Sequence, residues 1–289
     1  MTISTYQFAF TTVKNSSGTP TNSTFTFGAG TPWIVESVDG LAGTSKLRVQ
    51  DDNRGYIDGS YSGRDFYDSR TVTFEILILG DSSNTAQQYY KQLQAALAPQ
   101  VLGYYPDQTL STQSYNTLGL FQFQLTAATG IQRMWGRVRS IETLVDPDFT
   151  YGYIMTKVEF YFPDPRYYDD SQQSISSGTS VSLSNTGWAT TCPTITIASP
   201  SASGAIWDTT SGSRMNFANV NTSQPLVIDF LQRSITQNGI AARNTLVSFD
   251  NTSANGVVQG WLSVAPNTSS VTWSSTIGSM SVILRNAYV

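Results

Sequence analysis

The chain has 289 residues, a length at which one hydrophobic core stops growing and two become the rule. Only 12% of the residues are charged and the formal net charge is −4, which excludes a nucleic-acid surface built on a basic block. There is no histidine, and Cys192 is the single cysteine, so the usual general base, the usual zinc ligand, redox pairs and internal disulfides all fall away. The first segment alternates apolar with Thr/Ser positions. Residues 6–10 and 24–27 read as edge strands, with a flexible loop over 15–22 between them. Residues 33–38 form another short strand, turned by Asp39-Gly40. Residues 46–50 pair across a turn at Asp51-Asp52-Asn53-Arg54-Gly55, and 56–67, rich in Gly, Tyr and Asp, reads as a loop or bulged strand.

Residues 70–79 give the clearest strand. Val72, Phe74, Ile76 and Ile78 alternate with Thr71, Thr73, Glu75 and Leu77, so one face is apolar. One helix follows, with Asn84 as its cap and Gln87 as the return partner of a capping box. Ala86, Tyr89, Tyr90, Leu93, Ala96 and Leu97 make its apolar stripe, and Pro99 ends it. Strands over 120–127, 132–143 and 153–162 complete the first module, with a turn at Asp146-Pro147-Asp148.

At Phe160-Tyr161-Phe162-Pro163-Asp164-Pro165-Arg166-Tyr167-Tyr168-Asp169-Asp170 the chain changes character. Beyond it the only charged residues are Arg214, Arg233, Arg243, Arg285, Asp208, Asp229 and Asp250. The expected division is 1–170 and 175–289, joined by an exposed Ser/Gly-rich stretch over 171–180. The second module is a run of short strands over 181–183, 193–198, 215–219, 225–229, 234–237, 245–249, 270–273 and 281–285. Asn238-Gly239 is a hairpin signal and Asn255-Gly256 another turn, so an antiparallel β-sandwich is expected. The fold class is mainly β.

The motifs with chemical potential are weak. Asp51-Asp52-Asn53-Arg54-Gly55 fails the calcium-loop pattern, because Gly55 stands where an oxygen ligand is needed. Gly28-Ala29-Gly30 precedes no helix and is no dinucleotide loop. Glu36, Glu75, Glu142 and Glu159 offer carboxylates for sugar hydrolysis, yet the last three sit mid-strand as outward or inter-strand positions. Asn-X-Ser/Thr sequons at Asn15, Asn22, Asn221, Asn251 and Asn267 follow from the composition. Residues 1–6 carry no basic n-region, so no signal peptide is readable, and the aliphatic run at 76–79 is too short to span a bilayer.

Two residue sets have binding character. Tyr56, Tyr61, Arg64, Tyr67, Arg70, Tyr104 and Tyr105 have the Tyr/Arg bias of protein interfaces, or else they serve a merely structural role. Trp188, Trp207, Trp261 and Trp273 offer ring faces on which sugar C–H surfaces stack, or else they fill the sandwich core.

An ordered series of segments resembles the siphophage tail component family, whose best-described members are the distal tail proteins. It runs through Ser37-Val38-Asp39-Gly40-Leu41, Asp58-Gly59-Ser60-Tyr61, Trp135-Gly136-Arg137-Val138-Arg139 and Asp164-Pro165-Arg166-Tyr167-Tyr168. It continues in Asn185-Thr186-Gly187, Cys192-Pro193-Thr194-Ile195-Thr196-Ile197, Leu226-Val227-Ile228-Asp229 and Val282-Ile283-Leu284-Arg285-Asn286-Ala287-Tyr288. The resemblance implies an N-terminal β-sandwich or split-barrel domain with one inserted helix, then a galectin-like, jelly-roll antiparallel sandwich. It implies a structural virion protein of the tail tip with no enzymatic activity and no cofactor, made in the host cytoplasm and placed at the distal end of the tail. Its partners would be itself, as a hexameric ring, with the tail tube, tail-tip and tape measure proteins. Receptor-binding proteins or a host glycan would add to these, with no membrane or direct nucleic-acid contact. The second module departs from the family in its low charge and its added Ser/Asn loops. A carbohydrate-binding protein for host surface glycans is the alternative reading.

Overall fold

The computed structural model describes residues 3–16, 19–53, 58, 60–61, 63, 65–98, 118–144, 147–251 and 260–289. Contacts gather the chain into two compact units, Met1–Tyr167 with Val289, and Tyr168–Tyr288.

The first unit begins with β1 (Gln7–Ser16), β2 (Thr19–Gly28) and β3 (Trp33–Asp39). Four two-residue strands follow: β4 (Leu47–Arg48), β5 (Asp52–Asn53), β6 (Ser60–Tyr61) and β7 (Phe66–Tyr67). Then come β8 (Arg70–Leu79), helix α1 (Ser83–Leu97), β9 (Gly119–Gln124), β10 (Gln132–Leu144) and β11 (Tyr153–Phe162). Hydrogen bonding links seven of them antiparallel in the order β2-β1-β9-β10-β11-β8-β3. The terminal strands curl back toward each other, and Phe25 of β2 meets Trp33 of β3 edge-on at 4.7 Å. This makes a barrel left open at one seam. Helix α1 lies across one end of it: the Trp33 indole donates to the Tyr89 carbonyl (3.1 Å), and Thr143 of β10 donates to the Tyr90 hydroxyl (2.8 Å).

Alternation explains the barrel core. The apolar residues of β8 named above are wholly buried, and β11 answers with Val158, Phe160 and Phe162. Phenylalanine dominates the interior. Phe8, Phe10, Phe27, Phe74, Phe121 and Phe160 pack in edge-on and stacked pairs, for example Phe8–Phe74 at 5.0 Å and Phe121–Phe160 at 5.2 Å. Each such ring contributes about 1.5–3 kcal/mol by burial. Gly119 and Gly136, partners in register, make room for them. A Cβ at either would come within 2.4 Å of the Phe10 or Phe162 ring.

Several boundaries differ from the sequence expectation. Strands β1 and β2 run through the stretch read as a loop, with Ser16 opposite Thr19. That Thr/Asn/Ser-rich segment has no apolar period, so no alternation announced a strand there. The helix is capped by Ser82, whose side chain accepts from the Thr85 amide, two residues before Asn84. Four capping residue types stand in a row there, and local sequence does not choose among them.

The second unit holds two antiparallel sheets. β12 (Tyr167–Asp169) spans the boundary between the units. β13 (Gln173–Gly178), β15 (Thr194–Ile197), β18 (Leu226–Asp229), β19 (Ser234–Gln237), β20 (Ile240–Ala241) and β23 (Met280–Leu284) form one sheet, ordered β13-β23-β15-β18-β19-β20. β14 (Ser180–Asn185), β16 (Gly204–Asp208), β17 (Ser213–Phe217), β21 (Leu246–Asn251) and β22 (Thr268–Ser275) form the other, ordered β14-β22-β16-β17-β21. A last short strand, β24 (Ala287–Tyr288), pairs with β12.

Between the sheets lie Leu183, Ile195, Ile197, Ile206, Met215, Leu226, Ile228, Trp273 and Val282. Asn238 and Gly239, both at positive φ, turn β19 into β20, as the dipeptide requires. Asn185 is buried and ties the sandwich end together. Its amide donates to the Ala189 and Ala265 carbonyls (2.8 and 3.1 Å), and its oxygen accepts from the Gly187 amide (3.1 Å). The stretch read as an exposed joint is a correction: Gln173–Gly178 is strand β13, paired with β23. Its Ser/Gly composition hid a ladder in which Ile175 faces Val282. Strand β16 was also missed, because five residues after a Ser/Gly turn carry too little alternation.

Candidate assembly interface

Strands β4 to β7 make two short ladders, β4 with β7 and β5 with β6, that follow one another between Lys46 and Asp68 and together form a ribbon. Its ladder starts where the Asp68 amide donates to the Lys46 carbonyl (2.8 Å). It continues through Leu47 opposite Tyr67 and Arg48 opposite Phe66. The Asp51 carboxylate then accepts from the Gly63 amide (3.1 Å), and Asp52 lies opposite Tyr61. Pairing continues to Asn53 opposite Ser60, so Asp52 and Asn53 belong to a strand, and the rest of the turn expected at 51–55 falls outside the described residues.

The ribbon is rich in exposed apolar side chains. Leu47 is 50% exposed, Val49 55%, Tyr61 64% and Tyr67 53%. Leu47 and Tyr67 share one face by register, while Arg48 lies over the Phe66 ring on the other at 5.6 Å. Scattered single apolar residues on a surface need no explanation, but here they form a row along a paired ladder. An isolated two-stranded ladder is also marginal in water.

Arg70 roots the ribbon and is not on its surface. It is 4% exposed at the start of β8. Its Nε donates to the Pro165 carbonyl (3.0 Å) and the Ser45 hydroxyl (3.2 Å). Nη1 donates to the Gly40 and Leu41 carbonyls (3.1 and 2.8 Å), and Nη2 to the Gly43 carbonyl (3.1 Å). The guanidinium lies over the Tyr167 ring at 5.8 Å. Burial lowers the Arg70 pKa, and the nearby Tyr167 opposes that. Burial raises the Tyr167 pKa, with the cation acting against it. The planar fork with five donors suits this cage of oxygens, and it fixes the chain entering the ribbon to the strand leaving it. The interface role expected for Arg70 is corrected to that of an anchor beneath the ribbon. No sequence signal announces it, since the acceptors are main-chain atoms from distant segments.

Of the other interface candidates, Tyr61 and Tyr67 lie on the ribbon, while Tyr56, Arg64, Tyr104 and Tyr105 fall outside the described residues. The four tryptophans do not form one platform. Trp273 is wholly buried, 5.4 Å from Phe230, and its indole N–H has no partner among the described residues. Trp261 is half-buried between Phe230 and Phe249. Trp188 is 59% exposed and meets Tyr288 edge-on at 4.7 Å. Trp207 points outward from β16, where Arg214 lies over its ring at 5.5 Å. Trp273 is thus corrected to a core residue, because its position in β22 faces between the sheets, and Trp261, outside any strand, packs half-buried against the same core.

The carboxylates considered for hydrolysis stand on the outside of the barrel. Glu75 accepts from the Ser37 hydroxyl (2.7 Å), and Lys157 lies in register between Glu75 and Glu142. Glu159 faces Arg139 at 3.9 Å. Among the described residues no group of three or more His, Cys, Asp or Glu is placed to hold a metal ion, and no helix is long and apolar enough to cross a membrane.

The chain is similar over 98% of its length to 99% of SPP1 Dit (gp 19.1), described as a paradigm of the hub adsorption apparatus in phages infecting Gram-positive hosts; the TM-score is 0.61 at 13% identity. The chain therefore shares the fold of SPP1 Dit. Two baseplate structures of phage P2 in the activated conformation, with Ca and with Sr, also match, with 97% of each chain covered, 8% identity and TM-scores of 0.48 and 0.46. No family model matches the sequence, and no curated protein does.

Proposed function

We propose that this protein is a structural component of a phage tail tip and that its first unit closes a ring of identical subunits. The observation that carries the reading is the ribbon between Lys46 and Asp68, with exposed Leu47, Val49, Tyr61 and Tyr67 above a buried arginine anchor. The match in fold to SPP1 Dit over 98% of the chain supports it. Strands β2 and β3 end the barrel sheet and each pairs on one side only among the described residues. Such edges are covered in folded assemblies. A ribbon from one copy on the barrel of the next is a heterologous contact, and such a contact closes into a ring when its rotation divides the circle.

Six subunits is the number the family resemblance implies. The tail tube, tail-tip and tape measure proteins are the partners that follow, with the distal end of the virion tail as the location. The protein acts by holding parts together, and no catalytic step is assigned to it.

Electron microscopy of the purified chain tests this. Closed rings are expected, either alone or once the tail tube or tip protein is added. A chain that stays monomeric at high concentration and joins neither partner would overturn the reading.

A further inference from the structure

The outer face of the β14-β22-β16-β17-β21 sheet holds a cluster that neither packing nor assembly of the first unit uses. Register places Ser180, Ser274, Trp207, Arg214 and Asp250 in one row across the five strands. Asn216 and Ser248 stand beside that row, also in register with each other. The indole of Trp207 is the only aromatic ring among these positions, and the strand next to it turns its own tryptophan, Trp273, into the core. The other side chains are hydroxyls, one amide and one opposite-charge pair.

These polar groups are already oriented. Arg214 Nε donates to the Asn216 side-chain oxygen (2.8 Å). The Asn216 amide donates to the Ser248 hydroxyl (3.0 Å) and to the Asp250 carboxylate. Capacity is left over. The Arg214 guanidinium lies over one face of the Trp207 ring at 5.5 Å, which leaves the other face to a ligand; neither Nη group has a hydrogen-bond partner among the described residues, and the carboxylate and hydroxyl oxygens keep acceptor sites.

We propose that this face binds a neutral saccharide, with one sugar ring against Trp207 and its hydroxyls on Arg214, Asn216, Ser248 and Asp250. Three features point to that class of ligand. An indole beside a hydrogen-bonding fork matches a sugar, which shows C–H bonds on one face and hydroxyls at its edge. Arg214 and Asp250 lie opposite each other and cancel, so the cluster offers no net charge to an anionic ligand. The amide-bridged network fixes donor and acceptor directions before binding, which lowers the ordering cost. The site belongs to the second unit and does not depend on ring formation.

Saturation-transfer NMR on the full chain with lactose, cellobiose, maltose and N,N′-diacetylchitobiose is the test. At least one should show saturable binding. Trp207→Ala should weaken it about tenfold or more, the worth of one aromatic contact, and Asp250→Asn should weaken it as well. Trp188→Ala should bind like the unaltered chain, and ring assembly should be unchanged in every variant. If Trp207→Ala misfolds by circular dichroism, Trp207→Phe keeps a ring and should bind more weakly while melting normally. Absence of saturable binding to all four sugars would overturn the proposal. So would equal affinity in the folded Trp207 variants, including the case where a tail protein rather than a sugar is found to need Trp207.

Discussion

The two units solve the same problem with different side chains. The first fills an open barrel with phenylalanine and lays a helix across one end. The second fills the space between two sheets mainly with Ile, Leu, Val and Met around a single buried Trp273. Their surfaces differ as well. The first lifts an apolar ribbon into solvent over a buried cation, whereas the β14-β22-β16-β17-β21 sheet of the second sets Trp207 among hydroxyls. The ribbon suits contact with another protein chain, where apolar area is desolvated. The hydroxyl face suits a small polar ligand, where direction counts for more than area.

Core truncation should separate the units most strongly. Phe160→Ala should destabilise the first unit by about 3–5 kcal/mol, and Trp273→Ala the second by a similar amount. Chemical denaturation followed by near-ultraviolet circular dichroism would show whether each loss stays in its own unit. A loss shared equally by both units in either variant would break the comparison.

Arg70→Met comes next. It leaves the Pro165, Gly40, Leu41 and Gly43 carbonyls without their donor, at a cost of about 2–4 kcal/mol. Arg70→Lys should restore little of this, since an ammonium cannot span the cage. Faster proteolysis of the 40–68 segment in both variants is the expected readout. Full rescue by lysine would show that charge alone holds the root.

Replacing Tyr61 and Val49 together by serine should change the melting temperature little, because both are more than half exposed. It should nevertheless abolish or loosen the ring, as read by light scattering.

The smallest effect is in pH. With no histidine in the chain, stability should be flat from about pH 6 to 8. Tyr167 has a raised pKa in the folded state. Its neutral form is favoured there, the unfolded chain ionises first, and stability should fall as pH climbs above about 10. Tyr167→Phe should flatten that alkaline loss in the first unit. An unchanged alkaline slope would place the titrating group elsewhere.

Much of this was legible in the chain. The strands at Arg70–Leu79 and Tyr153–Phe162 follow from strict alternation, and Asn238-Gly239 marks its hairpin. What composition hid was pairing without apolar pattern. The continuation of β1 and β2 pairs locally down to Ser16 opposite Thr19, the ribbon ladder pairs within one segment, and the serine-rich β13 pairs with the distant β23, all without that pattern. Arg70 and Trp207 were visible as residue types, but their surroundings were not. One is enclosed by carbonyls of other segments, and the other is placed beside Arg214 by a sheet register that no local signal encodes.

The central claim is that the ribbon of the first unit joins copies of this chain. Native mass spectrometry of the full chain beside its Val49→Ser/Tyr61→Ser form, each with and without the tail-tip protein, tests it most directly. The expected result is a closed assembly of the 31.5 kDa chain, six copies by family resemblance, that falls to monomer in the ribbon variant while the fold persists. A monomer under all conditions, or an assembly untouched by the ribbon substitutions, would contradict it.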